Sequence, residues 1–218
     1  KEGTAYELAI AIALLSAKEP ESFHGLNDTM LLGELSLQGK LLPVRGALGM
    51  AITAAEHGMR QLILPSANAR ECECIENLAI YPADTLWDVV MHLTGEKKLP
   101  LRPPVRYEQL LGSVSIRNDL KNVKGQPIAR RALEIAAAGG HNLLMVGIPG
   151  SGKTMLARCL PGILPPLSYE EALETTLIHS AAGELGADQG LMTERPFRSP
   201  HHNISMPAMI GGGAKARP

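Results

Sequence analysis

Eight consecutive residues carry the clearest chemistry in this sequence: Gly147, Ile148, Pro149, Gly150, Ser151, Gly152, Lys153 and Thr154. They fit the pattern G-x-x-x-x-G-K-[ST] of a phosphate-binding loop. Glycines let the backbone curl so that several N–H groups point at phosphate oxygens, and the start of a following helix adds partial positive charge. Lys153 supplies a mobile cation for the terminal phosphates. The Thr154 hydroxyl can complete the shell of a magnesium ion. The implied ligand is a nucleoside triphosphate with Mg2+, and the flanks suit it. Residues 143–146 (Leu-Leu-Met-Val) read as a short buried strand, and Met155, Leu156, Ala157 and Arg158 are helix formers.

A second dense set of polar residues is Arg195, Arg198, His201 and His202, followed by Asn203. Such side chains can hold DNA phosphates or a neighbouring subunit without reading sequence; the alternative is a solvated or internally hydrogen-bonded loop. A metal site at His201 and His202 lacks an obvious third ligand. His141, just before the strand, could approach a base or ribose, or make a structural hydrogen bond. His24, His57, His92 and His179 read as surface or helix-end residues, and Trp87 as packing. Cys72 and Cys74 form a C-x-C pair with no second pair nearby, so they and Cys159 read as ordinary thiols.

The elements that must position these groups come from a chain of 218 residues, 45% apolar, 20% charged and only 3% aromatic, with net charge −1. That is the composition of a globular protein whose cores are built from aliphatic residues. The charge balance does not advertise nucleic-acid binding. The longest apolar run, 8–15, is far short of a bilayer span, so no membrane partner is expected. Low cysteine use fits a reducing cytoplasm. There is no recognisable targeting segment, and a chain that does not start with Met reads as a fragment.

Thr4-Ala5-Tyr6-Glu7 has the form of a capping box, followed by an almost wholly apolar helix to about residue 17 that should lie in a core. Residues 30–37 and 40–44 read as strands of a hairpin turning at Gln38-Gly39. A helix over 46–57, a strand over 61–64, a helix around 68–75 and a strand over 78–81 follow. Asp84 is placed to cap a helix reaching Leu93. These make an α/β domain over 1–95. Residues 96–118, charged and proline-rich, read as an extended linker. In the second domain, 119–218, Gln126-Pro127 opens a helix whose face carries Ile128, Ala132, Ile135 and Ala136. Ser168 and Glu171 form another capping box, leading a helix to about residue 179. No strand ending in paired acidic residues follows the phosphate loop.

The second domain resembles the AAA+ ATPases: the segment 119–126 (DLKNVKGQ) looks like the one that packs against adenine there, which places Val123 and Gly125 near the base. With the stretches GGHNLLM (139–145), LPGILPPL (160–167) and RPFRSPHH (195–202), the chain resembles the magnesium-chelatase-like ATPases of the ComM/YifB type over nearly its whole length. That resemblance implies ATP and Mg2+ as cofactors, cytoplasmic location, a homo-hexamer, and a motor driving branch migration on single-stranded or branched DNA. The first domain is similar to the proteolytic domain of Lon, a ribosomal-S5-domain-2-like α+β fold. The fold class implied is thus α/β, an S5-like domain followed by a truncated P-loop AAA+ domain.

The Lon resemblance implies where a serine–lysine dyad would stand. The Lon nucleophile segment corresponds to residues 1–7 and puts Ala5 at the serine; counting on from the hairpin 33–43 puts Leu48 at the lysine. A methyl group cannot attack a carbonyl and a leucine cannot accept a proton, so the domain is expected to be catalytically inactive. The motor family's acidic pair follows the glycine run at Gly211, beyond this chain, as do its sensor, lid and zinc-ribbon-like regions. The chain is therefore expected to bind ATP or ADP weakly and to hydrolyse little. The rival readings are an ATP-dependent Lon-like protease, a magnesium-chelatase-type metal-insertion subunit, and a fragment that never meets nucleotide.

Overall fold

A computed structural model describes residues 5–111, 118–186, 189–201 and 203–204. Its centre is β4 (Gln61–Pro65), flanked by β1 (Thr29–Leu31) and β5 (Ala79–Ala83) in a three-stranded parallel sheet. The chain is mixed α/β, and this parallel sheet lies in the first half. In β4 the run Leu62-Ile63-Leu64 is wholly buried because both faces are covered. Leu62 and Leu64 join Leu32, Ile80 and the alanines of α2 (Ala47–Glu56) in one core. Ile63 points the other way, to Leu8 and Ile12 of α1 (Glu7–Lys18) and Val89 and Leu93 of α4 (Leu86–Leu93). Each of the buried leucines, isoleucines and valines contributes about 1.5–3 kcal/mol.

Several local expectations are corrected. Residues 30–37 are not one strand. Gly33 turns both of its backbone groups to the start of α1, accepting from Leu8 N–H (3.0 Å) and donating to the Ala5 carbonyl (2.8 Å). The chain leaves the sheet there and resumes as β2 (Glu34–Leu35), paired antiparallel with β3 (Leu41–Leu42). The expected turn is present, closed by Gly39 N–H on the Ser36 carbonyl (2.9 Å). Helix α1 is not buried all round: Leu8 and Ile12 face the core, whereas Tyr6, Ile10 and Leu14 are exposed. Thr4 lies outside the described residues. Tyr6 stands at the helix N-cap without a side-chain cap, and Glu7 accepts from Leu35 N–H (2.9 Å). Helix α4 is capped by Thr85, not Asp84, with Thr85 and Asp88 bonded reciprocally. Helix α3 (Ala69–Cys72) is only one turn, reached through a 3-10 turn at Ser66–Asn68. His92 is buried, and its Nδ1 accepts from Leu99 N–H (2.9 Å).

The proline-rich segment carries no helix up to residue 106 and most of its residues are exposed, but it is tied down at Arg102. Arg102 N–H donates to the Ile80 carbonyl of β5 (2.8 Å), and the Arg102 guanidinium pairs with buried Glu73 (2.9 Å). Helix α5 (Tyr107–Leu111) follows, and the Tyr107 hydroxyl donates to the Leu167 carbonyl (2.6 Å). The later helices are α6 (Pro127–Gly139), α7 (Lys153–Cys159) and α8 (Tyr169–Ala182). Helix α8 lies on α2, with Leu173 and Leu177 against its core. Its capping box is formed as expected, by Ser168 and Glu171, and the helix runs on to Ala182.

The contact of α8 with the first half is polar as well as apolar. Glu71, 6% exposed, accepts from Asn68 Nδ2 (2.7 Å) through Oε1 and from the Ser180 hydroxyl (2.5 Å) through Oε2. Asn68 in turn brackets both backbone groups of Val44, at 2.9 and 2.8 Å. Gly46 N–H donates to the Ser180 carbonyl (3.1 Å).

Candidate functional site

The phosphate loop is held by a small core of its own. Leu120, Val123, Leu133, Leu156 and Cys159 bury one another, with Ala129 and Met145 against them. Pro127 opens α6, where a missing N–H costs nothing. The face of α6 that is used carries Ala129, Leu133 and Ala136, not the expected Ile128 and Ile135, which are 86% and 52% exposed. Two apolar stripes compete on this helix, and only one meets a partner among the described residues.

The expected strand at 143–146 does not form. The segment has no regular secondary structure, Leu144 and Val146 are 87% and 88% exposed, and no neighbouring strand pairs with them among the described residues. A strand exists only through its ladder, so an apolar run without a partner stays a loop. The His141 ring folds back on Gly139, where an added Cβ would lie 2.2 Å from its Nε2, and the His141 N–H donates to the Ala136 carbonyl (2.9 Å) at the end of α6.

The loop itself has the curled form its glycines suggest. Gly150 and Gly152 take left-handed backbone, at φ 79° and 86°. At Gly147 an added Cβ would come within 3.1 Å of Ser151 Oγ, so the ring closes tightly there. Lys153 Nζ sits inside it, donating to the carbonyls of Gly147 and Ile148 (both 2.8 Å) and to Ser151 Oγ (3.2 Å). Residues 147–150 are exposed, and Thr154 is exposed on the first turn of α7. A curled backbone, a cation at its centre and an open mouth fit a polyphosphate with its metal.

The segment expected near the base is bonded to this loop through Gln126. The Val123 side chain is 3% exposed and belongs to the core. Gly125 and Gln126 form a left-handed turn, at φ 74° and 56°, and Gln126 Nε2 donates to the Ser151 carbonyl (3.0 Å). Gln126 was legible only as a helix start; its one local sign is that glutamine is a poor N-cap. One turn on, the buried Nε of Arg130 has no hydrogen-bond partner.

The arginine cluster is engaged within the chain. Arg195 donates to the Pro165 carbonyl (2.9 Å) and to Glu171 (3.0 Å). The Ser168 N–H on Glu171, with Arg195 beside it, holds that carboxyl below its ordinary range. Arg198 pairs with Glu184. His201 Nδ1 accepts from Asn203 N–H (3.4 Å), and His202 lies outside the described residues. Arg195, with Arg158, Pro161 and Phe197, also lines an open cleft of about 860 Å3 that includes no residue of the phosphate loop.

At the two dyad positions the chemistry is apolar. Leu48 is completely buried, and Ala5 packs against the same core cluster. Cys72 and Cys74 are buried thiols; burial, with Glu73 adjacent, pushes Cys74 up to about 11. Among the described residues, no group of three or more His, Cys, Asp or Glu is placed to hold a metal, and no helix is long and apolar enough to cross a membrane.

Comparison with known proteins bears on both halves. The family described as magnesium chelatase, subunit ChlI, matches residues 119–218, and subunit ChlI of Mg-chelatase matches residues 1–68. The chain is 47% identical to the protein YifB of Salmonella typhimurium over 220 residues, covering 100% of this chain and 42% of that protein. It is 43% identical to the competence protein ComM of Haemophilus influenzae, covering 100% of this chain and 43% of that one. An archaeal Lon protease of Methanothermobacter thermautotrophicus is 34% identical over 102 residues, 44% of this chain and 16% of that protein. The chain thus spans less than half the length of the bacterial relatives it matches.

Proposed function

Because this chain belongs to the magnesium-chelatase-like proteins of the ComM and YifB type, within the AAA+-type ATPases, we propose that it is the ATP-binding part of a hexameric, cytoplasmic DNA motor acting on single-stranded or branched DNA. One observation carries the nucleotide reading: the Lys153 ammonium at the centre of a glycine-curled ring. ATP supplies the transferable phosphoryl group. Lys153 would exchange the Gly147 and Ile148 carbonyls for phosphate oxygens. Backbone amides of residues 150–154 would line the phosphates, and the Thr154 hydroxyl would be a ligand of Mg2+. Ala5 and Leu48 argue against a working Lon-type dyad, so we read the first half as an S5-like interaction element within a division at 1–95, 96–118 and 119–218.

Calorimetry with Mg·ATP on the parent chain and Lys153→Ala tests the site. A lost charge-assisted contact is worth about 1.5–3 kcal/mol, so the variant should bind roughly 10–100-fold more weakly. Equal binding by the two chains would remove the reading. The family description favours one rival, a metal-insertion subunit. For the whole protein, ATPase stimulation by branched DNA supports the motor, and ATP-dependent metallation of a porphyrin with partner subunits supports the rival.

A further inference from the structure

We propose that Gln126 is a positioning residue that latches the phosphate loop to the segment preceding α6; this rests on the reading that the loop binds nucleotide. Three features meet at this residue. Its backbone is left-handed, at φ 56° and ψ 45°, although it is not glycine. It stands at the N-cap of α6, yet its side chain makes no cap bond there. Instead its amide reaches 25 residues along the chain to the Ser151 carbonyl. A conformation that ordinary side chains rarely adopt is thus associated with a contact to the loop rather than with the helix it starts.

Ser151 is the pivot of the ring. Its hydroxyl accepts from Lys153, its N–H donates to the Ile148 carbonyl (3.3 Å), and its Oγ crowds Gly147. When Lys153 turns to a phosphate, the ring loses its central cation and three hydrogen bonds. The Gln126 bond uses the Ser151 carbonyl, which none of those three bonds involves, and so survives that exchange. Because Leu120 and Val123 anchor the segment in the core under α6 and α7, the latch fixes Ser151 to the same rigid body. Gln126 touches no ligand; it keeps the loop amides in place for one.

The test uses Gln126→Asn and Gln126→Glu in the whole chain. Asparagine tolerates left-handed backbone and keeps the amide, but is one methylene shorter. Glutamate keeps the length and replaces the donor with a carboxylate facing the Ser151 carbonyl. In nitrogen-15 NMR, the Gly152 amide, which follows the latched carbonyl, should shift in both variants. The Gly150 and Gly152 order parameters should fall from about 0.85 toward about 0.6. Affinity for Mg·ATP and for magnesium tripolyphosphate, which has no base, should drop by the same factor, roughly 3–10-fold. Unchanged order parameters in both variants overturn the latch, as does a loss seen with Mg·ATP but not with tripolyphosphate. Should the parent chain bind neither ligand, the proposed function falls while the NMR result still decides the latch.

Discussion

Replacing Glu71 by alanine and by glutamine should have very different costs. The carboxylate is 6% exposed and accepts from two buried donors, Asn68 Nδ2 and the Ser180 hydroxyl. Alanine removes both acceptors. Asn68 keeps its bond to the Val44 carbonyl through one hydrogen and loses the partner of the other. One unsatisfied buried donor costs about 1–3 kcal/mol, and the Ser180 hydroxyl can turn to a backbone carbonyl of its own helix at smaller cost. With the lost packing, roughly 2–4 kcal/mol is expected for Glu71→Ala. At about 2–4 °C per kcal/mol for a chain of this size, Tm falls by roughly 4–16 °C. Glutamine can keep its oxygen on Asn68 and donate to Ser180 Oγ, at a cost under about 1 kcal/mol. Thermal melts of the parent, both variants and Ser180→Ala, completed as a double-mutant cycle, give the coupling across the contact. If Glu71→Ala costs no more than Glu71→Gln, the buried network does not hold α8 to the first half.

Two further predictions concern titrating groups. Burial, with Lys98 nearby, lowers the His92 pKa from its usual value, and the neutral ring accepts from Leu99 N–H. A lowered folded value means the unfolded chain binds the proton first. The contribution is therefore full above the unfolded pKa of about 6.5 and lost as pH falls through the folded one. Stability should decline as pH falls below about 6.5 by a component that His92→Asn, which keeps an acceptor, removes; an unaltered pH profile in that variant refutes the assignment. Burial also raises the Cys72 and Cys159 thiols, and Cys74 to about 11. Iodoacetamide at pH 8 should leave all three unmodified in the native chain and label all three in urea; rapid native labelling would show that the cores around them open.

The parts of the molecule whose local form is legible in the sequence are those set by neighbours in the chain. The phosphate loop is eight contiguous residues, the α8 capping box spans four, and the β2–β3 turn is closed by Ser36, Gly39 and Lys40. Parts fixed by distant partners were not legible. Apolarity at 143–146 suggested a strand, but a ladder requires a second strand that no local pattern supplies. The choice between two stripes of α6 depended on what lay against them. Gly33 looked like one residue of a strand, and only its bonds to residues 5 and 8 reveal the break. Glu71 and Ser180 are 109 positions apart, and Gln126 lies 25 from the carbonyl it holds. At the site this divides cleanly: Lys153 and its glycines are visible as a motif, while the amide that steadies them is visible only in three dimensions.

The strap formed by the proline-rich segment bears on how the first half behaves when handled alone. Strand β5 lies at the border of the parallel sheet, and its Pro82 offers no donor to a new neighbour. Arg102 N–H occupies the Ile80 carbonyl on the same strand, and the Arg102 guanidinium is moored to Glu73. Together they blunt a β edge that would otherwise template pairing with other chains. A fragment trimmed at residue 95 would discard that guard and leave Glu73 without its counter-ion. Trimming after Leu111 keeps both, so the segment is a chaperoning margin of the sheet as much as a connection between halves.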